Sequence, residues 1–125
     1  MKVCVVGAGA IGGYMAIRIA SVGHEVSVVA RGPHLAAIKA NGMKLIEGDQ
    51  ETIAQDLNAT DNISDLCPQD IVLMALKAHQ IEPIVDKLSS VMGSETVMVT
   101  LQNGIPWWYF QNFAGPYTNR PVLSV

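Results

Sequence analysis

The chain opens MKVCVVGAGAIGGYMAIRIA, in which Gly7, Gly9 and Gly12 stand between an apolar run and a helical pattern. That arrangement constrains the fold more than any other feature. Residues 3–6 (VCVV) are continuously apolar and rich in β-branched side chains, as a strand buried on both faces of a parallel sheet requires. Beyond the glycines, Ile11, Met15, Ile19 and Val22 recur at helical spacing, and Gly23 is placed to end the helix. Residues 25–30 (EVSVVA) then read as a second strand. Strand, turn, helix and strand make a βαβ unit, whose crossover is expected to be right-handed.

The spacing G-x-G-x-x-G gains its meaning from this context. The first glycine permits the tight turn, the second lets the backbone approach a pyrophosphate, and the third lets helix and strand pack closely. The start of the helix offers unpaired N–H groups and a partial positive charge to the phosphates. The plainer reading, a tight turn alone, would not need three glycines at these positions. An NAD site usually carries Asp or Glu about 20 residues further on, to bind the ribose 2′-hydroxyl. Here the second strand ends in Ala30 and Arg31 instead. The guanidinium is always charged and its planar fork suits phosphate oxygens, so Arg31 is expected to receive a 2′-phosphate and NADP is favoured over NAD. The alternative for Arg31 is an ordinary surface arginine.

Further on, strands and helices keep alternating. Residues 32–42 (GPHLAAIKANG) read as a short helix with Pro33 in its first turn and Gly42 closing it. Residues 43–54 read as a hairpin around Gly48 and Asp49, residues 70–76 (DIVLMAL) as a buried strand, and residues 80–92 as a helix with an early proline. Residues 96–101 (TVMVTL) give another strand, residues 105–113 (IPWWYFQNF) a short helix, and the final RPVLSV is strand-like. The pattern predicts an α/β fold, a doubly wound, mostly parallel sheet of Rossmann type. In 125 residues, half of them apolar, one domain is expected.

Ligands of such sheets lie outside the carboxyl ends of the strands. Lys77, His79 and Gln80 fall there, after residues 70–76, and Asn103 falls there after residues 96–101. Spacing leaves Lys77 free to reinforce Arg31, to face the nicotinamide, or to be a solvated loop residue. His79, like His24 and His34, reads as a packing or surface histidine rather than a proton donor. Asn103 can bind cofactor or substrate, or belong to a plain Asn-Gly turn.

A net charge of −3 with scattered Lys and Arg excludes a general attraction to nucleic acid or to an anionic membrane. Cys4 and Cys67 are far apart and show no zinc-type spacing, so no metal is expected and reduced thiols in the cytoplasm are. Lys2 before an apolar stretch mimics a signal peptide, but the glycines interrupt it and Arg18 ends it; no targeting segment is read here.

The segments KVCVVGAGAIGG, VVARGPHLAAI, LKAHQ and LQNGIPWW, in this order and at these separations, resemble the amino-terminal domain of ketopantoate reductases, also called 2-dehydropantoate 2-reductases. The resemblance spans essentially the whole chain. It implies an NADPH-dependent reduction of ketopantoate to pantoate in pantothenate and coenzyme A synthesis. By match, Gly7, Ala8, Gly9, Ala10, Ile11 and Gly12 would bind the pyrophosphate, Arg31 and Lys77 the 2′-phosphate, and Leu76 and Gln80 the adenine side. Asn103 would lie near the nicotinamide and contact the substrate, a small 2-keto acid.

Members of that family continue into a helical domain that supplies a lysine general acid and a substrate-binding carboxylate. No such segment is present in residues 1–125, so the chain is expected to be the dinucleotide-binding domain alone, cut from a longer chain or a truncated product, and inactive by itself. The rival readings are a non-catalytic NADP-binding sensor or subunit, and a reductase of another 2-keto acid. Trp107, Trp108 and Phe110 either close the core or form an uncovered apolar face through which two copies pair.

Overall fold

The structure, a computed structural model, describes residues 1–106, 109–112 and 114–121. Five strands, β1 (Lys2–Val6), β2 (Glu25–Val29), β5 (Asn58–Thr60), β6 (Ile71–Met74) and β7 (Val97–Thr100), form one sheet in the order β5-β2-β1-β6-β7, with every pair parallel. Helix α1 (Ala10–Ser21) joins β1 to β2, and α2 (Gly32–Asn41) follows β2. The strands β3 (Met43–Glu47) and β4 (Gln50–Ala54) pair antiparallel around Gly48 and Asp49, as the sequence predicts. Strand order reverses at β1, between its neighbours β2 and β6, which is where an open sheet of this kind leaves a crevice.

Alternation along β1 divides the core between the two faces of the sheet. Val3 and Val5 pack with Ala16 and Ile17 of α1, Leu35 and Ile38 of α2, and Met43 of the hairpin. Cys4 and Val6 point the other way, to Ile63, Leu66 and Val91. Both faces of β1 are thus apolar, which is why its sequence is a continuous run.

Several details differ from the sequence reading. Helix α1 buries Gly12, Gly13, Ala16 and Ile17, while Ile11 and Val22 are exposed and Met15 and Ile19 only half-buried. The start of the helix lies close to the sheet, where Gly12, Gly13 and Ala16 form its contact stripe, and Ile17 continues it. The segment read as a helix over residues 80–92 forms 3-10 turns, Ala78–Gln80 and Glu82–Ser90. Pro83 at its start removes a backbone donor, and the Ser89 and Ser90 hydroxyls donate to carbonyls three residues back, Asp86 at 3.3 Å and Lys87 at 2.9 Å. Strand β5 was not anticipated, because Asn-Ala-Thr carries no strand signal of its own; it is recruited by β2, where Ala30 donates to the Thr60 carbonyl at 2.9 Å. Of the short helix expected over residues 105–113, Trp107, Trp108 and Phe113 lie outside the described residues, and residues 109–112 form a turn. The final strand-like run falls mostly on residues 122–125, also outside them.

Candidate functional site

The carboxyl ends of β1, β2, β6 and β7 surround a cavity of about 660 Å³. That volume suits a small-molecule site, for which roughly 300–1,000 Å³ is usual. Its floor is the glycine turn, and the three glycines do three different things. Gly7 adopts φ 103°, a conformation that favours glycine, and a Cβ there would meet Leu76 Cδ2 at 2.8 Å. Gly12 is pressed against the turn: a Cβ there would overlap the Gly7 carbonyl oxygen and come within 2.9 Å of Ala75 Cβ. At Gly9 a Cβ would meet nothing within 4 Å, so the backbone borders open space in the cavity. These are the constraints expected of a turn built to admit a bulky anion over its second glycine.

Gly9 is also the N-cap of α1 and supplies no side-chain acceptor to the first turn, which contains no acidic residue. The first N–H groups of this helix therefore point unpaired by side chains toward the cavity end. Ala8, Ala10 and Ile11 line the cavity too, Ala8 buried and the other two exposed.

The wall on the β2 side is Val29, Ala30, Arg31 and His34. Arg31 is the N-cap of α2 in extended conformation (φ −132°, ψ 158°), is exposed, and has no carboxylate partner among the described residues. The opposite wall begins where β6 stops at Met74, so that Ala75, Leu76 and Lys77 leave the sheet beside Gly7. A local clasp fixes this wall: the Lys77 N–H donates to Gln80 Oε1 at 3.2 Å, and the Gln80 N–H to the Lys77 carbonyl at 2.8 Å. Asn103 lines the same cavity after β7, exposed, with Gly104 at φ 93°. The Asn-Gly pair thus bends the chain at the cavity's edge.

Every residue named for cofactor or substrate binding lines this one cavity except Gly12, which shapes it from below. His79 does not line it and is exposed, and His24 lies elsewhere, half-buried. Two residues were overlooked. His34, read as a packing or surface residue, is part of the wall beside Arg31; its place three residues after Arg31, at a helix start, was the available signal. Gln102 donates from Nε2 to the carbonyls of Met74 and Leu76, each at 2.9 Å, and so ties the end of β7 to the end of β6. A second cavity of about 710 Å³, mostly apolar, adjoins the first and shares Ala78, Gln102 and Asn103 with it. The glycine turn borders the first and not the second.

Fold and turn together define a Rossmann-type domain, five parallel strands with a glycine turn at the point where strand order reverses. The sequence profile of ketopantoate reductase PanE/ApbA matches residues 3–106, and the chain belongs to that family. It is 48% identical, over 100% of its own length and 38% of the relative's, to a 2-dehydropantoate 2-reductase of Mesorhizobium japonicum. A crystal structure from Ralstonia solanacearum MolK2, provisionally described as a ketopantoate reductase, superposes with a TM-score of 0.85 at 36% identity, covering 95% of this chain and 36% of that one. A ternary structure of D-mandelate dehydrogenase with NADH and anilino(oxo)acetate superposes with a TM-score of 0.72 at 25% identity, covering 84% and 34%. The chain therefore spans little more than a third of the length of these relatives.

Proposed function

We propose that the chain is the NADP(H)-binding domain of an oxidoreductase that reduces 2-dehydropantoate (ketopantoate) to pantoate. One observation carries the cofactor part. Arg31 and Lys77, neither paired with a carboxylate among the described residues, border the same cavity as the open space over Gly9, and the cavity lining contains no acidic side chain. Such a lining favours a ligand with both a pyrophosphate and a further phosphate. In this reading the turn from Gly7 to Gly12 and the first N–H groups of α1 hold the pyrophosphate, Arg31 and Lys77 the 2′-phosphate, and Leu76 and Gln80 the adenosine side. Asn103 orients the keto acid. When bound, the cofactor supplies the hydride.

The substrate part rests on the family and on the relatives' names. Reduction of a ketone also needs a proton and donors for the developing alkoxide. We assign these to the helical domain that the family resemblance implies, beyond residues 1–125. Two unpaired cysteines and the absence, among the described residues, of a helix able to cross a membrane support a cytoplasmic setting. The structural likeness to D-mandelate dehydrogenase with NADH favours one second reading, a reductase of another 2-keto acid. Calorimetric titration decides the cofactor: NADPH is expected to bind more tightly than NADH. Arg31→Ala should remove most of that difference, since a charge-assisted hydrogen bond contributes on the order of 1.5–3 kcal/mol. Equal affinities in the unaltered chain would reject the assignment.

A further inference from the structure

We infer that His34 is a second, titratable contact for the 2′-phosphate, and that it makes the preference for NADP over NAD depend on pH. The inference rests on the reading of the larger site as a dinucleotide cavity. His34 occupies the third position of α2, with Arg31 as N-cap, Gly32 first and Pro33 second. An N-cap side chain and the third residue of a helix lie on the same side of the first turn, which is why they exchange hydrogen bonds in capping boxes. Here both line the cavity wall together with Ala30. Pro33 lies between them and has no N–H to offer an anion, so the donors at this end are the side chains and the remaining backbone groups.

The charged groups around His34 fix the sign of the effect. Arg31 shares the cavity wall with His34, Lys77 stands on the opposite wall, and Lys39 sits in the last turn of α2. The strand β5 packs against α2, and the acid nearest to it in sequence is Asp61, one residue past Thr60, which forms no ion pair with Arg31. A phosphate dianion held beside Arg31 and His34 favours the charged form of the imidazole. NADP+ therefore takes up a proton on binding and NAD+ does not. Phosphate itself has the opposite tendency: its second ionisation lies near pH 6, and binding to a cation drives a proton off. The two contributions differ in sign and can be separated.

The test is calorimetric titration of the chain with NADP+ and NAD+ between pH 6.5 and pH 8.5, in buffers of different ionisation enthalpy. The ratio of NADP+ to NAD+ affinity is expected to rise several-fold as the pH falls across this range, with net proton uptake for NADP+. His34→Gln should keep a preference for NADP+ through Arg31 but lose the pH dependence and the uptake. His34→Arg should give a high preference that is flat with pH. His79→Gln, altering an exposed histidine outside the cavity, should behave as the unaltered chain. A ratio that is flat or falls with falling pH in the unaltered chain, or a rise that survives His34→Gln, overturns the role of His34 alone. Failure to bind either dinucleotide overturns the cavity reading and this inference with it.

Discussion

The division of labour among the three glycines gives the most direct test at the scale of single residues. Gly9 has an extended backbone that other residues adopt (φ −70°, ψ −169°), and a Cβ there meets open space. Gly9→Val should therefore leave the circular dichroism spectrum unchanged. Losing a good N-cap should cost about 1 kcal/mol of stability, while binding of NADPH and NADH is abolished. Gly12→Val should do the reverse in its cause: the side chain collides with the Gly7 carbonyl and Ala75, so unfolding is expected to shift by several kcal/mol before any ligand is added. Undiminished binding in Gly9→Val would place the phosphates elsewhere. A second prediction concerns Cys4, which is fully buried and whose thiol desolvation pushes from 9.0 up to about 12. In the unfolded chain that thiol ionises at ordinary values, so the folded state binds the extra proton between about pH 9 and pH 12. The stabilisation is complete below that window and is lost as pH rises through it. Thiol titration should find Cys67, which is exposed, reacting at once, and Cys4 reacting only after denaturation. Immediate reaction of both would contradict the packing around β1.

Among elements, the joint between β6 and β7 is held by a side chain rather than by the strand ladder alone. Gln102 gives two hydrogen bonds to β6-side carbonyls, so Gln102→Leu should cost about 1–3 kcal/mol in urea unfolding. It should also weaken NADPH binding, because the Leu76 carbonyl it holds precedes Lys77. Gln102→Glu removes the donating amide while keeping the shape and should resemble the leucine variant; stability equal to the unaltered chain would show the bridge to be incidental. Elements that announce themselves by apolar run or by glycine were legible: β1, β2, the hairpin, β6 and β7 all stand where the sequence puts them, within a residue or two at their ends. Strand β5 was not, since three polar or small residues become a strand only because β2 offers an open edge. Neither was the 3-10 character of Glu82–Ser90, which depends on serine hydroxyls competing for carbonyls. For the site, residues with a motif role could be named in advance. Gln102 could not, because its part depends on which strand ends the topology brings side by side, whereas the place of His34 three residues after Arg31, at a helix start, was a signal left unused.

At the scale of the whole molecule, sheet order determines how far the parts of the site stand from one another. Neighbouring strands lie about 4.8 Å apart, so the end of β2, with Arg31 and His34, is about 14 Å from the end of β7, with Asn103. A dinucleotide spans such a distance, and a side chain does not. Arg31 and His34 thus stand too far from Asn103 to serve a reaction there. Lys77 follows β6, one strand spacing from β7, and its long side chain could reach either end. Asn103 is a neutral amide, able to orient a ketone and unable to protonate an alkoxide near neutral pH. The chain is therefore expected to bind NADP(H) and show negligible reduction of ketopantoate. Joining it to the helical domain of a family member should restore turnover. In that joined enzyme Asn103→Ala should lower kcat on the order of a hundred-fold with NADPH affinity nearly unchanged. Lys77→Ala should reduce the preference for NADPH over NADH while leaving the pH profile of kcat in place. Steady-state kinetics beside NADPH titration distinguishes the roles. Asn103 loses its place at the reacting centre if only cofactor affinity changes, and Lys77 becomes the proton donor if its removal abolishes kcat at unchanged cofactor preference.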